Sequence, residues 1–238
     1  MTSIIYLKEC ASTNEEIADL LTPDDIDFHA VYTFSQTKGK GQYGNSWESS
    51  ENLNLAFTLA VPSDRIKIPN NLFNFHTAVL FADFIAIMTK IPVEIKWPND
   101  IIIKNKKVSG ILIEKKNIHG TPYFIIGIGL NILQTDFVHL PKAGSLLTQT
   151  GLNFNPDELA HSLYNFLLEH LAHEIAEEEI LEKLNQKLFR KNVVSVFNLN
   201  GVRQNGIIKN ADENGFLWVE LENDGLKKFY HKEIELLY

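Results

Sequence analysis

The chain has 238 residues, 45% of them hydrophobic and 22% charged, the composition of a globular protein large enough to bury a real core. Its 22 Lys and Arg against 30 Asp and Glu leave a net charge of -8, which argues against a non-specific nucleic-acid binder. A single cysteine, Cys10, excludes an internal disulfide and a cysteine-rich zinc site; with no secretory-type N-terminus and no uninterrupted apolar run of about 18 residues, the expected location is the cytoplasm, without a membrane span.

Residues 4–7 read as a short opening strand. Ser12-Thr13-Asn14-Glu15-Glu16 reads as a helix start, in which Ser12 with Glu15 or Thr13 with Glu16 forms a capping box. A plain hydroxyl cap is the ordinary meaning of such a stretch, although the same hydroxyls and amides also suit a small polar ligand. A second strand covers residues 29–34. Residues 36–47, QTKGKGQYGNSW, form a loop whose Gly39, Gly41 and Gly44 permit close backbone approach, with Lys40 as a cation for a phosphate. The spacing fits neither the Walker nor the dinucleotide pattern, and composition alone favours a flexible surface loop. Alternation of Leu53, Leu55, Phe57 and Leu59 with Asn54, Ala56 and Thr58 predicts a sheet strand. The apolar run 72–88 predicts a buried helix, with His76 as a core histidine rather than a base.

Residues 93–114 are the most informative. Val93, Ile95 and Trp97 alternate with Glu94 and Lys96, Pro98 ends the ladder, and residues 101–103 and 107–113 form two more strands joined by a turn at 104–106. Lys96, Asp100, Lys107 and Gly110 thereby converge, a set suited to an anionic ligand with a carboxylate for a metal. Gly120 and Pro122 mark a turn. Residues 123–133 follow as an apolar strand whose Gly127 and Gly129 make room for a tightly packed neighbour or for a ligand, with Asn131 offering donor and acceptor groups. Asn155-Pro156-Asp157-Glu158 starts a helix running through Leu171, and a second helical segment lies within residues 172–189. From about Arg190, short strands punctuated by Asn200-Gly201, Asn214-Gly215 and Asp224-Gly225 predict a small antiparallel barrel.

Ser12-Thr13-Asn14, the Gly39–Gly41 loop, KWPND at 96–100, KVSGILIE at 107–114 and GIGLN at 127–131 resemble, in order and spacing, the biotin protein ligase family. The resemblance covers nearly the whole chain. It implies an α+β fold: a mixed sheet with helices packed on it, as in a class II synthetase-like catalytic domain, over residues 1–189, followed by an SH3-like barrel over 190–238. It also implies a two-step activity, in which ATP and biotin form biotinyl-5'-adenylate with release of pyrophosphate and a lysine of a carrier protein then takes the biotinyl group. Carried over by position, Ser12, Thr13, Asn14, Gln36, Lys40, Gly41, Gln42, Lys107 and Gly110 contact biotin. Gly39, Lys40, Trp47, Lys96, Asn99 and Asn131 contact ATP or the adenylate, while Lys107, Lys96 and Asp100 carry the catalysis and Asp100 faces Mg2+. The implied partner is the biotin carboxyl carrier domain of a biotin-dependent carboxylase, with neither DNA nor a membrane; the oligomeric state stays open. A lipoate or octanoyl ligase of the related fold and a non-catalytic biotin-binding regulator are the competing readings.

Two departures from the family pattern carry expectations. The family loop usually holds several arginines, whereas Lys40 is the only cation between Gly39 and Trp47 here, so adenylate is expected to be held by backbone amides and Lys40, and less tightly than in arginine-rich relatives. Adenylate release no faster than from a Gln42→Arg variant contradicts that expectation. Some relatives also carry an N-terminal helix-turn-helix domain, whereas the first motif here begins at Ser12; a ligase without repressor function is therefore expected, and specific operator binding contradicts it.

Overall fold

The computed structural model describes residues 3–23 and 27–238. In chain order, β1 (Ser3–Tyr6), α1 (Thr13–Leu20) and β2 (His29–Thr33) lead to a minimal hairpin, β3 (Gly39–Lys40) and β4 (Ser46–Trp47). After it come β5 (Asn54–Pro62), α2 (Asn70–Thr89), β6 (Glu94–Lys96), β7 (Asp100–Ile103), β8 (Lys106–Ile118) and β9 (Thr121–Asn131). Three helices, α3 (Leu146–Thr150), α4 (Pro156–His170) and α5 (Glu177–Lys187), precede β10 (Val194–Leu199), β11 (Val202–Ala211), β12 (Leu217–Leu221), β13 (Gly225–Phe229) and β14 (Glu235–Leu237).

The main sheet has seven strands in the order β1-β2-β5-β9-β8-β7-β6; β1 and β2 are parallel and every other pair is antiparallel. The alternation at 53–59 is a strand as expected, β5, and all nine of its residues are buried. Leu55, Phe57 and Leu59 join the large core with α2 and α4, while Thr58 on the other face hydrogen-bonds to Thr13 and Asn14 of α1. Helix α2 is apolar on most sides because most of it is buried, although Ile87 is 53% exposed. By length and composition it matches a membrane span, but 67% of its most apolar stretch is buried in this fold.

His76 lies in that helix at 3% exposure, and burial, the largest cause, lowers its pKa to about 4, with Lys183 acting in the same direction and Glu179 against it. Folded-state depression of a histidine means that the unfolded chain binds the proton first. Stability is therefore fully present above the ordinary pKa of 6.5 and lost as pH falls from there to about 4. Urea midpoints at pH 7 and pH 5 are expected to differ less for His76→Gln than for the parent chain, by an amount on the order of 2 kcal/mol. Equal pH sensitivity in the two proteins refutes this.

Turns set the strand registers. Lys104 and Asn105, at φ 47 and 63, close β7 onto β8 through a two-residue loop, and Asn200-Gly201, at φ 51 and 86, does the same for β10 and β11. Asn155 caps α4 as the sequence indicated, accepting from the Asp157 and Glu158 amides. The capping boxes expected at Ser12 and Thr13 do not form: Ser12 is the cap residue but its side chain makes no capping bond, and the Thr13 hydroxyl is turned toward Gln36.

The C-terminal strands form a five-stranded antiparallel sheet, β13-β12-β11-β10-β14, of the small barrel-like kind the turns suggested. Strand β14 was not legible because three residues with one buried side chain, Leu236, give no alternation to read. Helix α3 was missed because its box uses Ser145 with Thr148 in place of the usual acid, before Gly151 stops it at φ 76. The barrel side chains Phe197, Ile208 and Val219 belong to the same core as the main sheet. Backbone also ties the segment between α5 and β10 to the main sheet, where the Phe189 amide donates to the Ile95 carbonyl in β6, at 2.9 Å.

Candidate active site

One face of the main sheet, the start of α1, the β3–β4 hairpin and the C-terminal sheet enclose a cavity of about 550 Å3. At one end lies a preset polar chain. The Gln36 side-chain carbonyl accepts from the Thr13 amide at 2.9 Å and from its hydroxyl at 3.1 Å, the Thr58 hydroxyl contacts Thr13 and Asn14, and the Asn14 amide donates to Glu114 at 2.9 Å. Lys116 secures the same corner by donating to the Asn14 carbonyl at 2.8 Å. Donors and acceptors fixed in this way present both kinds of hydrogen-bonding group, suited to a ligand group that carries both.

At the other end is the charged cluster. Asp100 lies 2.7 Å from Lys107 and 3.8 Å from Lys96 because the β6–β7 turn returns position 100 beside position 96, while β8 brings Gly110 opposite Asp100. Burial, the largest cause, pushes the Lys96 ammonium below its usual range; Asp100 opposes the shift, and Lys107 and Lys142 add to it. Two lysines sharing one carboxylate leave positive charge to spare for an anion. Asn99, 8% exposed, donates to the Ile111 carbonyl at 2.6 Å and so fastens the turn to β8.

Glycines carve the space between the two ends. A Cβ on Gly127 would sit 2.9 Å from Asn14 Cγ, and one on Gly129 would sit 2.6 Å from Trp47 Nε1. Packed neighbours thus account for both glycines, and those neighbours are themselves cavity walls. The 36–47 segment is a short hairpin rather than an unstructured loop, with Gly39 opposite Trp47 and Lys40 opposite Ser46. Trp47 lies across Gly129 and Gly110 with the Lys107 ammonium 5.6 Å from its ring.

Ser12, Thr13, Asn14, Gln36, Lys40, Gly41, Gln42, Trp47, Lys96, Asn99, Asp100, Lys107 and Gly110, all indicated by the sequence, line this one cavity. Two others do not. Gly39 is held in the hairpin, where a side chain would strike the Trp47 carbonyl, and Asn131 is 4% exposed with its amide donating to the Gly144 carbonyl at 3.0 Å. Asn131 thus ties the segment before α3 to the end of β9, on the sheet face that also carries Gly127 and Gly129. Lys40 reaches the cavity, but its ammonium is paired with Glu15 of α1.

Sequence reasoning missed the contribution of the C-terminal sheet. His231, Lys232 and Glu235 line the same cavity, and the Tyr238 ring lies 5.9 Å from the Lys96 ammonium and 4.8 Å from that of Lys142. Burial, then Asp100, pushes the Tyr238 phenol up to about 12. No local pattern marks these positions, because only tertiary docking brings them to the site.

The sequence pattern of the biotin/lipoate A/B protein ligase family matches residues 29–131. The chain is 28% identical over 145 residues to the biotin--[acetyl-CoA-carboxylase] ligase of Mycobacterium tuberculosis, matching 58% of this chain and 53% of that protein, so it spans about half of that relative's length. It is 28% identical over 242 residues to the bifunctional ligase/repressor BirA of Bacillus subtilis, covering 98% of this chain and 74% of that one. The structure of the biotin protein ligase from Aquifex aeolicus in complex with biotin and ATP superposes with a TM-score of 0.77 at 25% identity, covering 98% of both chains. Residues 29–131, which carry the Asp100–Lys107 pair and the glycine wall, belong to the biotin/lipoate A/B protein ligase family, and the chain around them has the fold of a biotin protein ligase.

Proposed function

We propose that this chain joins biotin to ATP as biotinyl-5'-adenylate and then passes the biotinyl group to a lysine of a biotin carboxyl carrier domain. The observation that carries the reading is one cavity with a fixed polar chain from Gln36 to Glu114 at one end and Lys96, Asp100 and Lys107 at the other. Biotin has matching ends: a ureido ring that donates and accepts, and a carboxylate. The Aquifex aeolicus relative binds biotin and ATP in the same fold. We also propose the division into a catalytic unit over 1–189 and a C-terminal unit over 190–238, and a cytoplasmic location.

In the first step the carboxylate attacks the α-phosphorus, and two anions must approach. Lys107 offsets the carboxylate and the phosphoryl oxygens that gather charge, and the buried Lys96 adds a second cation whose field is little screened. Asp100 holds the two ammonium groups in place. Among the described residues, no group of three or more His, Cys, Asp or Glu side chains is arranged to hold a metal. The single carboxylate of Asp100 fits a Mg2+ ion that arrives on the triphosphate and needs only one or two protein oxygens, where it would neutralise phosphoryl charge. In the second step the mixed anhydride is already activated, so the cavity has to exclude water and place an incoming amine.

Exchange of labelled pyrophosphate into ATP tests the substrate. Exchange that depends on biotin and not on lipoate is expected; exchange with lipoate alone moves the chain to the lipoate branch of the family, and binding of biotin without exchange makes it a non-catalytic binder.

A further inference from the structure

The β3–β4 hairpin has only two residue pairs, too few to hold a position by itself. Its place over the cavity is set by what its side chains touch. Trp47 anchors one end to the main sheet by lying on Gly129, and Lys40 ties the middle to Glu15 of α1. The tip is fastened instead to the turn between β13 and β14 of the C-terminal sheet. Tyr43, at φ 56 in the left-handed region and 55% exposed, stacks its ring on His231 with centroids 4.5 Å apart and planes at 14°. His231 in turn rests against Trp97, at 5.8 Å, and Lys232 donates to the Tyr43 carbonyl at 3.1 Å while its ammonium lies 5.1 Å from the Tyr43 ring. Two consecutive residues, His231 and Lys232, thus grip one hairpin tip.

We infer that Tyr43 and His231 are positioning residues, an aromatic clasp by which the C-terminal sheet holds the hairpin closed and retains the activated intermediate. The inference rests on the proposed ligase activity and goes beyond it, because it assigns retention to a contact between two distant segments. A left-handed residue normally favours glycine or asparagine, so an exposed tyrosine there exacts a conformational cost that its contacts must offset. The clasp also answers the shortage of cations in the hairpin. With Lys40 paired to Glu15, the hairpin has no free cation of its own among the described residues to hold an anionic intermediate, and stacking at the tip keeps the hairpin over it instead.

The test separates the clasp from the activity beneath it. Biotin-dependent pyrophosphate exchange is measured first on the parent chain; its absence there refutes the ligase reading and not the clasp. Where exchange is present, radiolabelled adenylate is formed on the enzyme, excess biotin and ATP are removed, and its loss is timed. Tyr43→Ala and His231→Ala are each expected to lose adenylate about five- to tenfold faster, the range of one aromatic pair. The double variant is expected to lose it no faster than the single ones, because both remove the same contact. His231→Phe, which keeps the stack and removes the titrating ring, is expected to restore retention. Circular dichroism and the urea midpoint report on folding in each case. Loss at the parental rate in both alanine variants, or failure of His231→Phe to rescue a folded protein, overturns the clasp.

Discussion

Lys107→Ala is expected to lower adenylate formation by about 10^2- to 10^3-fold, the range for removal of one preorganised group that meets developing charge. The structure makes the loss larger than that of one contact. Lys107 is the 2.7 Å partner of Asp100, and without it the carboxylate keeps only Lys96, 3.8 Å away, and faces the incoming anions largely uncompensated. Lys107→Arg is expected to recover part of the rate: the charge returns, but the guanidinium is wider, and the Lys107 ammonium sits close to Gly110 and Trp47. Pyrophosphate exchange and single-turnover adenylate formation read both. Undiminished exchange in Lys107→Ala removes the residue from the mechanism.

Gly129→Ala is expected to weaken adenylate binding by about 10- to 100-fold, the equivalent of ~1–3 kcal/mol of overpacking. A methyl group there meets the flat side of the Trp47 indole at 2.6 Å from Nε1 and 2.7 Å from Cδ2, too close for small adjustments. Trp47 must move, and it is the residue that lies over Gly110 and beside Lys107. Loss should appear in the affinity for nucleotide more than in the urea midpoint, since the cavity gives the displaced ring somewhere to go. Unchanged affinity in the folded variant shows that Trp47 is not part of the binding wall.

Much of this site could be read from the sequence because its parts are local. Lys96 and Asp100 stand four residues apart around one turn, and Gly110 pairs with Asp100 in the next strand, so strand pattern and turn chemistry alone bring them together. The glycines of β9 were legible as a demand for space, but not as to what filled it, since Asn14 and Trp47 come from over 80 residues earlier. The helix start at Ser12 misled in detail. Its residue types match a capping box, but the Thr13 and Asn14 side chains are engaged with Gln36, Thr58 and Glu114 instead. Asn131 and Gly39 were marked by motif position; in the structure Asn131 holds the segment before α3 and Gly39 packs within the hairpin. The C-terminal sheet was legible from its Asn-Gly turns, but its side chains in the site were not, because docking depends on packing between distant faces rather than on any local period.

The central claim is that one cavity makes an activated biotin and hands it to an amine. Purified chain incubated with biotin and ATP, then stripped of free ligand and mixed with a biotin carboxyl carrier domain, tests it directly by mass spectrometry. One biotinyl group on a single carrier lysine, with release of AMP and no further need for ATP, is the predicted result. A carrier that gains no mass while biotin remains bound to the chain contradicts the account.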